Sequence, residues 1–327
     1  IIGASVVLIY TLFGGMLSVA ILDFIQMVVI AAGLVYIMWI VADLAGGVGT
    51  VVDHAEAAGK LQFFPEEFSY VMWVPFVGAF LTMAFGSIPQ QDIFQRISSA
   101  KNEKTAVRGA VLGGSLYFFF AFIPVFLAYG AIMIDPATFS AMVSEDSQMV
   151  LPNLVLMHTP LFAQIVFFGA LISAIMSTSS ATLLAPSVSF AENIVKNIYP
   201  NMDDKALLLT MRVSVFVFTI IVVAFAINSD SSIFEMVESA YEITLAAAFV
   251  PLVFGLYWKG ATSQGAVWSI IVGVSSWLIA KNFFPSEVWP PQLLGMVLGL
   301  FTMIIASLLP QWIEHRPALR DGVVHPH

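Results

Sequence analysis

Long apolar runs alternate with short polar joints along the whole chain. Each later run approaches or exceeds the roughly 20 helical residues needed to cross a bilayer. Hydropathy and Gly/Pro breakers predict about nine membrane helices. The first, Ile1–Phe13, ends at Gly14-Gly15. The others are expected near Val19–Ala42, Val71–Pro89, Val107–Ile134, Leu161–Ile194, Ala206–Asn228, Ser232–Trp258, Gln264–Phe283 and Leu293–Leu309. Trp73, Trp258, Trp289 and Trp312 fall near the proposed interfaces, where indole rings prefer to lie. Gly109/Gly113 and Gly295/Gly299 have a small-xxx-small spacing that permits close helix approach.

Polar positions inside these runs carry the chemical signal. Between Gly169 and Phe190 an uncharged apolar helix carries Ser173, Ser177, Thr178, Ser179, Ser180 and Thr182. Hydroxyls at that density either bond back to their own helix and allow tight packing, or line a hydrated path where hard oxygens replace cation-bound water. A second run reaches Phe85-Gly86-Ser87-Ile88-Pro89 and then turns polar at Gln90, Gln91, Asp92, Gln95 and Arg96. Gly and Pro so close together free backbone groups, which at membrane depth are tolerated only against protein or a water-filled cavity. An ordinary helix end is the alternative. A kink at Pro186 in Leu161–Ile194 is a weaker signal, since proline is frequent in membrane helices.

Carboxylates inside spans cost roughly 2.5–3.5 kcal/mol on insertion scales, so each one needs a role. Asp23 lies one turn into its span, placed to cap the helix start or reach an inner cavity. Glu235, Glu238 and Glu242 share one helix face. Glu242 is expected about 15 Å below the outer surface, where it could meet a cationic solute group, hold a proton, gate, or pair within the fold.

Composition agrees with a membrane protein: 59% of residues are hydrophobic and 10% charged, against roughly a quarter charged in soluble domains. Mean hydropathy is +0.93. The net charge of -9 says little about partners, because charge is sorted by side. Alternating the loops puts Arg96, Lys101, Lys104, Arg108, Lys196, Lys205, Arg212, Lys259, Arg316 and Arg320 on one side, and Lys60 and Lys281 on the other. The first side is therefore expected to be cytoplasmic, with the C-terminal tail inside a multi-pass protein of the cytoplasmic membrane. The chain lacks cysteine, which excludes disulfides and thiolate metal sites. His54, His158, His315, His325 and His327 show no metal spacing, and no phosphate cradle or nucleophile elbow occurs, so no enzyme activity is expected. The basic cluster Arg96–Arg108 reads as a topology signal, not a nucleic-acid patch. Ile1 already lies in an apolar run, with neither Met nor signal peptide before it, so the chain is expected to start part-way through a larger protein.

Three motifs, in order, resemble the sodium:solute symporter family, which carries proline, glucose, pantothenate and choline with sodium. Tyr10-Thr11-x-x-Gly14-Gly15…Asp23-x-x-Gln26 is similar to the family's YT-x-x-GG…TD-x-x-Q turn, with Leu22 in place of the usual Thr. Gly86-Ser-Ile-Pro89-Gln-Gln-Asp-Ile-Phe-Gln95-Arg96…Ala100-Lys101 resembles its Q-R-x-x-(S/A)-A-K segment. Ala174-Ile-Met176-Ser177-Thr178 through Glu192 resembles its A-x-M-S-(S/T) sodium-site helix.

The resemblance implies an all-α integral membrane protein with a LeuT-like fold of two inverted five-helix repeats, its first core helices missing from this chain. Residues 1–43 would be the last two helices of the first repeat. Residues 71–258 would form the second repeat, 264–309 peripheral helices and 310–327 a cytoplasmic tail. It further implies a sodium site built from the backbone oxygen of Ala174 and the hydroxyls of Ser177 and Thr178, with carbonyls from the first core helix. Asp23 would serve coupling or cation release. The break at Gly86–Gln91 would face the solute.

The solute is expected to be small and polar or zwitterionic, bound through Gly86, Gln90, Gln91 and Glu242. Local wording is closest to choline-carrier-like and sodium/proline members, but Gln90 stands where choline carriers have Trp. Sodium-coupled symport is the expected function, with sodium ion, solute and lipid bilayer as partners. The alternatives are a non-transporting sensory membrane domain and an incomplete, inactive fragment.

Overall fold

The computed structural model describes residues 2–284 and 288–313, and among them every regular element is helical. In chain order these are α1 (Ile2–Leu44), α2 (Val48–Ala57), α3 (Tyr70–Gly86), α4 (Gln91–Ser98) and α5 (Glu103–Phe120). Next come α6 (Phe122–Ile134), α7 (Pro136–Glu145), α8 (Val150–His158), α9 (Leu161–Phe190) and α10 (Lys196–Ile198). The last are α11 (Asp204–Ile227), α12 (Ile233–Thr244), α13 (Val250–Tyr257), α14 (Ser263–Phe283) and α15 (Pro291–Leu308). π-helical turns at Ala191–Val195 and Leu245–Phe249 follow α9 and α12.

Eight segments among the described residues are long and apolar enough to cross a membrane, the first of them Val19–Leu44. The break expected at Gly14-Gly15 does not occur, because α1 runs through it without interruption. Each glycine costs a helix about 1 kcal/mol. No proline stands there to remove a donor, and continuing the helix keeps every backbone group satisfied in an apolar setting. Asp23 therefore lies in a helix interior and caps nothing.

The run expected over Val107–Ile134 lies within one candidate span, Glu103–Ile134, whose helix is interrupted only locally, by a division at Ala121. Pro124 explains the division: it has no N–H for the Phe120 carbonyl, and its ring crowds that turn. Side-chain caps start many of the other helices. The hydroxyl or carbonyl oxygen of Ser69, Asn102, Ser232 or Thr262 accepts a backbone N–H of the first turn. Glu235 completes a capping box with Ser232, so it belongs to the helix start.

The helices fall into two compact units that cut across chain order. One comprises Ile1–Phe63 and Gln91–Asp230; the other comprises Phe64–Gln90 and Ser231–His327. In the first unit, α1 lies along α9 and buries Gly33 against Ala170. Ile37, Val41, Leu127, Phe139, Leu154 and Phe167 form its core. In the second, α14 packs along α15. A Cβ at Gly273 would collide with the carbonyl oxygen of Ala246 in the π-turn, and one at Gly295 would lie 2.7 Å from the Gly273 carbonyl. Gly295 thus provides the close approach its spacing allows, whereas Gly109 and Gly113 face open space. Gln264 fastens the end of α15: its amide donates to the carbonyls of Ala306 and Pro310 and accepts from the Trp312 amide.

Candidate functional site

The hydroxyls of α9 divide into two groups. Ser180, Thr182 and Ser187 donate to carbonyls three or four residues back, at 3.0, 2.8 and 2.7 Å, as helix-internal hydroxyls do. Ser177 behaves differently. Its hydroxyl donates to the Asp23 carboxylate on α1 at 2.6 Å. The other carboxylate oxygen takes a 2.8 Å contact from the Arg96 guanidinium on α4. Arg96 also reaches Asp92 at 3.3 Å. Three helices of the first unit are thereby joined through one carboxylate, whose side chain is 19% exposed. Pairing with Arg96 lowers the cost of holding a charge inside a span.

This geometry leaves oxygens free. Ser177 spends its only proton on Asp23, so its lone pairs remain for another partner. Thr178 is exposed, and among the described residues its hydroxyl has no hydrogen-bond partner. Ala174, Ser177 and Thr178 stand at i, i+3 and i+4 on one face of α9. Hydroxyl and carbonyl oxygens are the donor set a small hard cation accepts, so the residues present fit Na⁺.

The second cluster lies in the other unit. Helix α3 ends at Gly86, which accepts a 2.5 Å hydrogen bond from the Thr244 hydroxyl of α12 on its carbonyl oxygen. The Gln90 amide nitrogen makes long contacts to that same carbonyl, 3.4 Å, and to the Thr244 hydroxyl oxygen, 3.5 Å. Gly86 is required here: a Cβ would run into the Tyr241 carbonyl. Phe85 stacks on Phe249 at 4.7 Å. The chain resumes its helix only at Gln91, whose side chain is exposed.

Glu242 is matched inside the second unit. Lys281 of α14 contacts its carboxylate at 2.6 Å and the Trp277 indole N–H donates to it at 3.2 Å. The Lys281 ammonium also lies 5.2 Å from the Trp277 ring centre. Sequence reasoning missed Arg96, Thr244 and Lys281 as partners. Charge sorting did place Asp23 and Arg96 at the same membrane face, which was a usable clue; nothing local marks Thr244.

A family model described as "Sodium:solute symporter family" matches residues 1–273. The chain belongs to that family. It is 31% identical over 332 residues to a sodium/proline symporter of Staphylococcus aureus and, at the same identity, to its counterpart in strain JH9. These alignments cover 98% of the chain and 62% of each relative, so the chain spans less than two thirds of the relatives' length. A solved structure of a Na⁺-coupled sialic acid symporter in a substrate-bound outward-open state matches with a TM-score of 0.72 at 22% identity. That match covers 93% of this chain and 64% of the other. The fold is therefore the helical LeuT-like fold of that symporter. All three motifs used to recognise the family fall in the two clusters: Asp23 and Ser177 meet in one, Gly86 and Gln90 in the other.

Proposed function

We propose that the protein carrying this chain is a sodium-coupled symporter for a small polar or zwitterionic solute in the cytoplasmic membrane, with its C-terminus inside. One observation carries the proposal. Among the α9 hydroxyls, Ser177 is held by a charged carboxylate from another helix while a neighbouring hydroxyl, Thr178, stands free.

Na⁺ binds at the Ala174 carbonyl oxygen and the Ser177 and Thr178 hydroxyls. Asp23 fixes the Ser177 proton and so aims the oxygen lone pairs. It couples cation occupancy to the α1–α4–α9 junction, because a cation drawn toward the carboxylate competes with Arg96. The solute binds at the interruption Gly86–Gln91, through the freed backbone and the amides of Gln90 and Gln91. Glu242 already has a counter-charge in Lys281 and serves as a tie between α12 and α14 rather than a solute ligand. Ion and solute must each favour the same conformation for coupling. Each inward charge gains about 2.3 kcal/mol per 100 mV of membrane potential.

Likeness to the sodium/proline symporters makes amino acids the first solutes to test. Uptake of radiolabelled amino acids, amines and carboxylates by the full-length protein, with Na⁺ replaced by K⁺, tests the function. Ser177→Ala or Thr178→Ala is expected to raise the Na⁺ concentration for half-maximal uptake about tenfold, a loss of roughly 1.4 kcal/mol. An unchanged Na⁺ dependence in both variants refutes the cation assignment.

A further inference from the structure

Thr244 was not singled out by any motif, yet its hydroxyl meets both the Gly86 carbonyl and the Gln90 amide. Its hydroxyl donates to the Gly86 carbonyl, which the end of α3 leaves without a helical partner, and its oxygen receives the Gln90 amide nitrogen. The same nitrogen also points at the Gly86 carbonyl. Both N–H contacts of Gln90 thus turn inward, toward α12 and the end of α3. The Gln90 amide oxygen has no partner among the described residues, on a side chain that is half-buried. That oxygen is not shut away from its surroundings, so it is open to a donor from outside the fold. The anchor is rigid on its far side: Gly86 has no room to move against Tyr241, and Phe85 is stacked on Phe249 in the π-turn directly after Thr244.

We propose that Thr244 is a positioning residue that turns the Gln90 amide so that its carbonyl oxygen faces the solute, and that this oxygen selects solutes with an N–H-bearing ammonium over quaternary ones. This rests on the solute-binding reading of the break given above. A secondary or primary ammonium donates a charge-assisted hydrogen bond to the amide oxygen. A fully N-methylated ammonium has no proton to give, and leaves the oxygen unpaired under its methyl groups. With Val at position 244 the amide loses its outer contact and is free to turn its NH₂ toward the solute, where it repels both kinds of cation alike.

Two measurements test this. The first needs no solute. The chain contains no cysteine, so Ile88→Cys, at an exposed position in the interruption, reports the break through its rate of mixed-disulfide formation with a methanethiosulfonate reagent, methanesulfinate leaving. Thr244→Val in that background is expected to raise the rate about tenfold, and Thr244→Ser to leave it within twofold. Should the Val variant not reach the membrane, Thr244→Ala makes the same comparison. A rate within twofold of the parent for the hydroxyl-free variant overturns the positioning role, whatever uptake shows.

The second measures inhibition of L-[³H]proline uptake by L-proline and by N,N-dimethyl-L-proline. Wild type and Thr244→Ser are expected to prefer the N–H compound at least tenfold. Thr244→Val is expected to lose that preference. A preference kept in the Val variant overturns the selection role. If the wild type takes up no proline, the selection role is overturned, while the thiol-modification rate still decides what Thr244 does.

Discussion

A single carboxylate does two jobs at Asp23, accepting from Ser177 at 2.6 Å and from Arg96 at 2.8 Å. The two bonds are not equal in consequence. Arg96 is 40% exposed and shares itself with Asp92, so screening limits what the ion pair is worth. Arg96→Gln is expected to destabilise by only about 1 kcal/mol in a detergent melt, and a cycle with Asp23→Asn should show coupling of similar size. Its effect on transport should be larger, because an unpaired Asp23 holds a nearby cation more strongly. Uptake by the Arg96→Gln protein is expected to saturate at lower Na⁺ but run at a lower maximal rate. A raised Na⁺ requirement would contradict the competition between Arg96 and the cation. The Ser177 position was legible because the motif and the hydroxyl density coincide. The contrast with Ser180 and Thr182 was not, since three hydroxyls on one helix look alike until their protons are placed.

Among the helices, boundaries were readable wherever apolar length, caps and polar joints agree. Helices α14 and α15 begin and end within two residues of their expected limits. Gly14-Gly15 and Pro124 are both breakers by composition, but only proline deletes a backbone donor; the helix is interrupted just before Pro124, while Pro75 and Pro186 stay inside α3 and α9. The π-turn at Leu245–Phe249 has no sequence mark, and it is held where Gly273 admits the Ala246 carbonyl. Gly273→Leu should therefore destabilise by at least about 1–3 kcal/mol through overpacking. Gly109→Leu, at an open position, should change stability by less than about 0.5 kcal/mol in the same thermal melt. Equal effects would refute the packing account.

Helix α7, outside the spans, gives an element-scale pH response. Asp135 caps it through the Thr138 amide at 3.2 Å. The hydrogen bond from the Thr138 side chain is the main cause holding the Asp135 carboxyl below its ordinary value of 3.8, followed by the Thr138 backbone N–H and, more weakly, by His158. A depressed folded-state pKa means the cap stabilises fully above that ordinary value and is lost as pH falls through the lower folded one. The protection factor of the amides at the α7 start, taken against intrinsic exchange at each pH, is expected to hold at neutral pH and to fall only below about pH 4. In Asp135→Asn, which cannot ionise, that acid-induced fall should vanish.

At the scale of the whole chain, charge sorting is the argument for the proposed orientation of the eight candidate spans. Merging the first expected run into α1 changes the count but not the orientation. Every loop after Leu44 keeps its side, since the alternation from Val19 onward is unaltered. Of the basic residues, Arg96, Lys101, Lys104 and Arg108 fall in one short joint, while Asp135–Pro160 carries none. The positive-inside bias acts on short loops of this kind. It supports the orientation proposed above, in which the α4–α5 joint is expected in the cytoplasm and α7 and α8 outside. Lys281 then sits at the outer end of α14, where its pairing with Glu242 needs no cytoplasmic counter-ion. Single cysteines at Lys104 and Ser144, in an otherwise cysteine-free protein, separate the two orientations in intact cells. An impermeant maleimide should label Ser144→Cys at once and Lys104→Cys only after the membrane is opened. The reverse pattern would invert the orientation, put the C-terminal tail outside, and require Na⁺ and solute to enter from the face here assigned to release.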